Sequence, residues 1–109
     1  MRKPLPIELV NEDVAAISAA LKEHVHPLEV YLFGSAAQDA MTDQSDYDIL
    51  IVIEDSSNLK SCQKAYANIR KLLPKRPIDV VWFFKSEFEK KKVMGGVALV
   101  AFNEGKRLI

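Results

Sequence analysis

The chain has 109 residues, 49% of them hydrophobic and 28% charged, a length and balance that build one core and one domain over residues 1–109. Fifteen Lys and Arg offset fifteen Asp and Glu, so there is no broad positive field of the kind that draws in nucleic acid polymers. No apolar run approaches the length that crosses a membrane, Met1-Arg2-Lys3-Pro4 is not followed by a signal core, and the one cysteine, Cys62, can form neither an internal disulfide nor a zinc-finger set; a cytoplasmic protein is expected.

Asn11, followed by Glu12 and Asp13, reads as the N-cap of a first helix with acids in its first turn. Val14, Ile17, Leu21 and Val25 continue an apolar stripe at helical spacing to an end near His26-Pro27. His24 and His26 then fall at a solvated helix terminus. Val30-Tyr31-Leu32-Phe33 is a short β-branched and aromatic run stopped by Gly34, a buried strand entering a tight turn, with Ser35 just past its end. Asp48 to Ile53 is a second strand, apolar on both faces after an acidic start and therefore central in its sheet. Ser56 or Ser57 can cap a second helix carrying Leu59, Cys62, Tyr66, Ile69 and Leu73 on one face, with Lys60, Lys64, Asn68 and Lys71 opposite, before Pro74 ends it.

Pro77 to Phe83 forms a third strand, apolar apart from Asp79, and its neighbours Trp82, Phe83 and Phe84 must divide between the two faces of a sheet. Ser86 and Glu89 have capping-box spacing for a third helix, and Lys90-Lys91-Lys92 reads as its solvated face. Gly95-Gly96 marks a break before a last helical segment from Val97 to about Glu104, closed by Gly105. This order implies an α/β or α+β fold, a short mixed β-sheet flanked by helices, rather than a parallel doubly wound sheet.

Three acids stand at otherwise apolar strand positions: Asp46, Asp48 and Asp79. The period of two along a strand turns Asp46 and Asp48 to one face, where their repulsion is costly unless a cation or a shared proton relieves it. If Asp79 lies on an adjacent strand, the set can hold two Mg²⁺ ions roughly 3.5–4 Å apart, an arrangement that stabilises both oxygens of a phosphoryl or nucleotidyl transfer. Gly34 permits close backbone approach, and the Ser35 hydroxyl and nearby free N–H groups can cradle phosphate.

Leu32-Phe33-Gly34-Ser35, Ser45-Asp46-Tyr47-Asp48-Ile49-Leu50-Ile51-Val52 and Ile78-Asp79-Val80-Val81 resemble, in order, the three blocks of the DNA polymerase beta-like nucleotidyltransferases. Within them they resemble the minimal nucleotidyltransferase (MNT) family of short prokaryotic proteins. Glu104-Gly105-Lys106 resembles that family's C-terminal helix ending. The resemblance implies the nucleotidyltransferase fold, with Gly34 and Ser35 binding the triphosphate of ATP or another NTP and Asp46 and Asp48 ligating Mg²⁺. It implies that Asp79 completes the metal site and helps to activate an acceptor hydroxyl.

It further implies transfer of AMP from ATP to a protein, a tyrosine of a HEPN toxin, with this chain as the antitoxin in a homo- or hetero-oligomer. A chain of this size carries no second domain to shape a small acceptor, which favours a protein acceptor over an antibiotic. The alternatives are a binding antitoxin that keeps the fold without catalysis, and nucleotidyl transfer to a small molecule. One departure bears on the choice: many members follow Gly-Ser with an Arg-Ala-Arg-Gly segment, whereas this chain reads Ala36-Ala37-Gln38-Asp39. The planar donor fork of arginine is thereby absent, and Lys75 and Arg76 are the candidates to replace it.

Overall fold

The computed structural model describes residues 4–34, 41–42 and 45–109. Ser35 and the Ala36-Ala37-Gln38-Asp39 segment lie outside the described residues. In chain order the elements are α1 (Ile7–His24), β1 (Glu29–Phe33), β2 (Tyr47–Ile53), α2 (Leu59–Leu72), β3 (Ile78–Phe84), α3 (Lys85–Lys91), α4 (Gly96–Glu104) and β4 (Lys106–Arg107). The strands form one sheet in the order β3-β2-β1-β4, with β2 parallel to β3 and antiparallel to β1, and β4 antiparallel to β1. This is the mixed sheet flanked by helices that the sequence implies, and β2 is central as its double-faced apolarity requires.

Strict alternation along β2 divides the core in two. Ile49, Ile51 and Ile53 join Ile17, Leu21 and Ile69 beneath α1 and α2, while Leu50 and Val52 join Tyr31, Phe83, Ala98 and Ala101 beneath α3 and α4. The aromatic triplet divides the same way: Trp82 and Phe84 pack on the first face and Phe83 on the second. Phe88 centres the second cluster, with its ring 5.7 Å from Tyr31, 6.1 Å from Phe83 and 6.3 Å from Phe102. The Tyr31 hydroxyl donates to Glu29 at 2.6 Å, and burial together with that carboxylate pushes its pKa up to about 12.

Several helix ends differ from the sequence expectation. Helix α1 begins at Ile7 behind Pro6, whose fixed φ suits a helix start, so Asn11 and Asp13 lie inside the helix and Asp13 faces inward. Its last residue is His24, short of His26-Pro27. Asn58, not Ser56 or Ser57, caps α2, its side-chain oxygen accepting from the Lys60 amide at 2.8 Å. On α2, Cys62, Ala65 and Ile69 are buried while Leu59 and Tyr66 are exposed. No capping box opens α3; instead the Ser86 amide donates to Asp55 in the turn after β2, and the Ser86 hydrogen bonds hold the Asp55 carboxyl below its ordinary range.

Within the lysine run, Lys92 is only partly exposed: its ammonium lies 2.9 Å from Glu89 and 4.7 Å above the Phe102 ring. Gly105 caps α4, but its φ of −77° needs no glycine. Space decides that position, since a Cβ there would strike the Ala101 carbonyl and approach the Leu32 carbonyl to 3.0 Å. That close pass delivers the chain into β4, a two-residue strand.

Phe88 is fully buried among three rings. Phe88→Ala is expected to cost about 3–5 kcal/mol in chemical denaturation, and Phe88→Leu to recover most of the loss.

Candidate active site at one end of the sheet

The register brings the sequence-marked acids to a single sheet edge. Asp48 pairs with Phe33 on one side and with Asp79 on the other, so the end of β1, the start of β2 and the start of β3 meet in a row. Asp48 and Asp79 alternate with residues of the first core and therefore point to the α3–α4 side of the sheet. Asp46 precedes the strand, held by a turn in which the Ser45 hydroxyl accepts from the Thr42 amide at 3.0 Å and the Ser45 amide donates to the Thr42 carbonyl at 3.1 Å. Asp46 and Asp79 are exposed and Asp48 is partly buried.

The charges interact. Burial raises the Asp48 pKa above the ordinary carboxylate value, and the neighbouring Asp79 and Asp46 anions raise it further. Gly34 stands against the same group: its φ is +70°, and a Cβ built on it would collide with Asp48 Oδ2. The absence of a Cβ is what lets the Asp48 carboxylate lie against the backbone at the end of β1. Among the described residues no three His, Cys, Asp or Glu side chains close into a set ready to hold a metal ion. Carboxylates at one end of the sheet are nonetheless the hard oxygen donors that a divalent cation takes. Asp46, Asp48 and Asp79 thus have the donor chemistry that Mg²⁺ takes without forming a closed set around a common point. Ser35, the expected phosphate donor, lies outside the described residues.

The remaining sequence candidates are placed elsewhere. His24 and His26 line a cavity of about 260 Å³ with Glu54, Ser57 and Asn58, at the opposite end of the sheet. A larger cavity, about 760 Å³, lies beside α3 and α4 between Phe83, Glu87, Lys90, Met94 and Val97, and none of the three acids lines it. Lys75 is exposed ahead of β3, and the Arg76 charge bears on Tyr47. Tyr47 and Asp13 are the pair that sequence reasoning missed: the fully buried Tyr47 hydroxyl donates to Asp13 Oδ2 at 2.7 Å. Burial and that carboxylate raise the Tyr47 pKa. The available signal was Asp13 itself, an acid three and four residues from Val10 and Ile17 on the inward stripe of a helix.

Comparison with known proteins gives a consistent result. Among solved structures, a protein of Sulfolobus solfataricus described as a putative nucleotidyltransferase, crystallised to 1.40 Å, superposes with a TM-score of 0.53 at 24% identity, over 79% of this chain and 76% of that one. At that identity the likeness concerns the fold. No curated protein matches the chain. The sequence model of the polymerase beta nucleotidyltransferase family matches residues 15–104, which takes in Gly34, Asp46, Asp48 and Asp79 together. The chain belongs to the polymerase beta nucleotidyltransferase family.

Proposed function

We propose that the chain is a metal-dependent nucleotidyltransferase that moves AMP from ATP to a hydroxyl of a protein acceptor, a tyrosine of a HEPN-type partner, and so acts as an antitoxin in the cytoplasm. The observation that carries the transferase reading is the in-register pair of Asp48 and Asp79 on adjacent strands, with Asp46 two positions before. The acceptor rests on the resemblance of the motif blocks to the MNT family.

Asp46 and Asp48 would hold Mg²⁺, with Asp79 completing the set. When bound, the ions supply charge neutralisation at the α-phosphate and its oxygens. Gly34, which has no Cβ to strike the Asp48 carboxylate, and Ser35 would bind the triphosphate, with the Ser35 hydroxyl as a donor for a phosphate oxygen. The acceptor oxygen bonds to the α-phosphorus as the bond to pyrophosphate breaks. The hydroxyl proton passes to a carboxylate oxygen of Asp79, and pyrophosphate leaves.

A second reading, a binding antitoxin without catalysis, is favoured by one feature, the Ala36-Ala37-Gln38-Asp39 segment where many relatives carry arginines. Labelled ATP, Mg²⁺ and the partner separate the two. Asp48→Asn and Asp79→Asn are each expected to lower label transfer by about 10²-fold or more while leaving partner binding intact. A wild-type protein that binds the partner but transfers no label would exclude the enzyme.

The raised Asp48 pKa makes a second, independent prediction. A carboxyl whose pKa is higher folded than unfolded favours the folded state when protonated, and this contribution fades as pH rises through the folded value. At neutral pH without metal the Asp48 charge is therefore a cost. Asp48→Asn is expected to melt at a higher temperature than wild type in EDTA at neutral pH, with the gap narrowing on acidification. Mg²⁺ should raise the wild-type melting temperature and leave that of Asp48→Asn nearly unchanged.

A further inference from the structure

The segment that carries the acids is anchored from behind. Tyr47 sits between Asp46 and Asp48, so the strand period sends its side chain to the opposite face, away from the acids. There the ring is fully buried in the core beneath α1 and α2, and its hydroxyl donates to Asp13 Oδ2 at 2.7 Å across 34 positions of sequence. Asp13 is 8% exposed and lies mid-helix between the buried Val10 and Ile17. A carboxyl facing the core is costly unless it is hydrogen-bonded, so the pair is held together by the expense of parting it. The Tyr47 amide also donates to the Pro77 carbonyl at 3.0 Å, just ahead of the strand that carries Asp79. Main chain and side chain of one residue therefore connect β2, β3 and α1 at the level of the acids.

We propose that Tyr47 and Asp13 are positioning residues that clamp the start of β2 against α1 and so fix Asp46 and Asp48 relative to Asp79 for a divalent cation. The proposal rests on the metal-dependent reading above. Neither residue touches the cation; the clamp acts by holding still a backbone on which two like charges repel. Without it, the first residues of β2 relax away from β3, and the carboxylates no longer meet a common ion at low cost.

The test uses Mn²⁺ as probe, with affinity measured by electron paramagnetic resonance on the full chain. Tyr47→Phe keeps the ring and removes the hydroxyl. It is expected to weaken Mn²⁺ binding about tenfold, the size typical of lost support behind a ligand. Asp13→Asn keeps a carbonyl acceptor for the phenol and should bind Mn²⁺ close to the wild-type value. Ile69→Val, a buried change on α2 in the same core cluster that leaves the Tyr47–Asp13 hydrogen bond in place, gives the effect of lost stability alone and should leave Mn²⁺ affinity unchanged. Unaltered Mn²⁺ binding by Tyr47→Phe, or an equal loss in Ile69→Val, would overturn the clamp.

Hydrogen exchange of the metal-free protein gives a readout independent of the cation. Tyr47→Phe should speed exchange of the amides of Tyr47 and Asp48 and leave those of Ile51 to Ile53 unchanged, and uniform exchange along β2 would also overturn the proposal. Failure of the wild type to bind Mn²⁺ would sink the metal-dependent reading, and the exchange result would still decide whether Tyr47 fixes the strand.

Discussion

Parallel, in-register pairing of β2 with β3 sets Asp48 beside Asp79, and the molecule is organised around the repulsion this creates. Two carboxylates on neighbouring strands destabilise a sheet edge unless something holds the strands together against them. That something is the remainder of β2. From Ile49 to Ile53 the strand is buried on both faces, and its partner carries Val80, Val81, Trp82 and Phe83 in register with it. Apolar burial along the shared length of the pair outweighs a local electrostatic cost at one end. The cost is confined to where a ligand can relieve it.

Among the described residues, topology covers one face at that end and leaves the other without a helix over it. A parallel pair needs a long crossover, and α2 supplies it, packing beside α1 on the face opposite the acids. The other face is covered by α3 and α4. Because α3 follows the last residue of β3 directly, its cover begins at the end of the strand farthest from Asp79. The acids thus share a face with Leu50, Val52 and Phe83 but lie beyond the aromatic cluster around Phe88.

The candidate site was legible in the sequence because its residues are misfits. Acids in strands that are otherwise apolar cannot be explained by packing, and a glycine ending a β-branched run demands a backbone reason; both reasons are met at Asp48 and Gly34. The central position of β2 was legible from its double-faced apolarity. Other features were hidden by competing local signals. Asn11-Glu12-Asp13 has the composition of a helix start, and that pattern masked both the true start behind Pro6 and the burial of Asp13. Ser56 and Ser57 have capping chemistry too, and the choice of Asn58 depends on where the turn after β2 ends. Strand β4 is too short to show a period, and it exists because Gly105 lets α4 pass close to β1.

The same period of two that made the acids visible concealed their support. Residues 46 and 48 share one face of a strand by that period, and residue 47 is the spacer between them. In the fold that spacer is the better buried of the strand's first two residues and makes a long-range polar contact, while Asp48 keeps one side toward solvent. A strand laid over a helix has no other way to combine these tasks: one face must be dry to hold the backbone, and the other must be wet enough to admit a charged ligand. The two functions therefore fall to adjacent residues. A carboxylate that needs solvent on its own face can still be held rigidly by a phenol buried on the other.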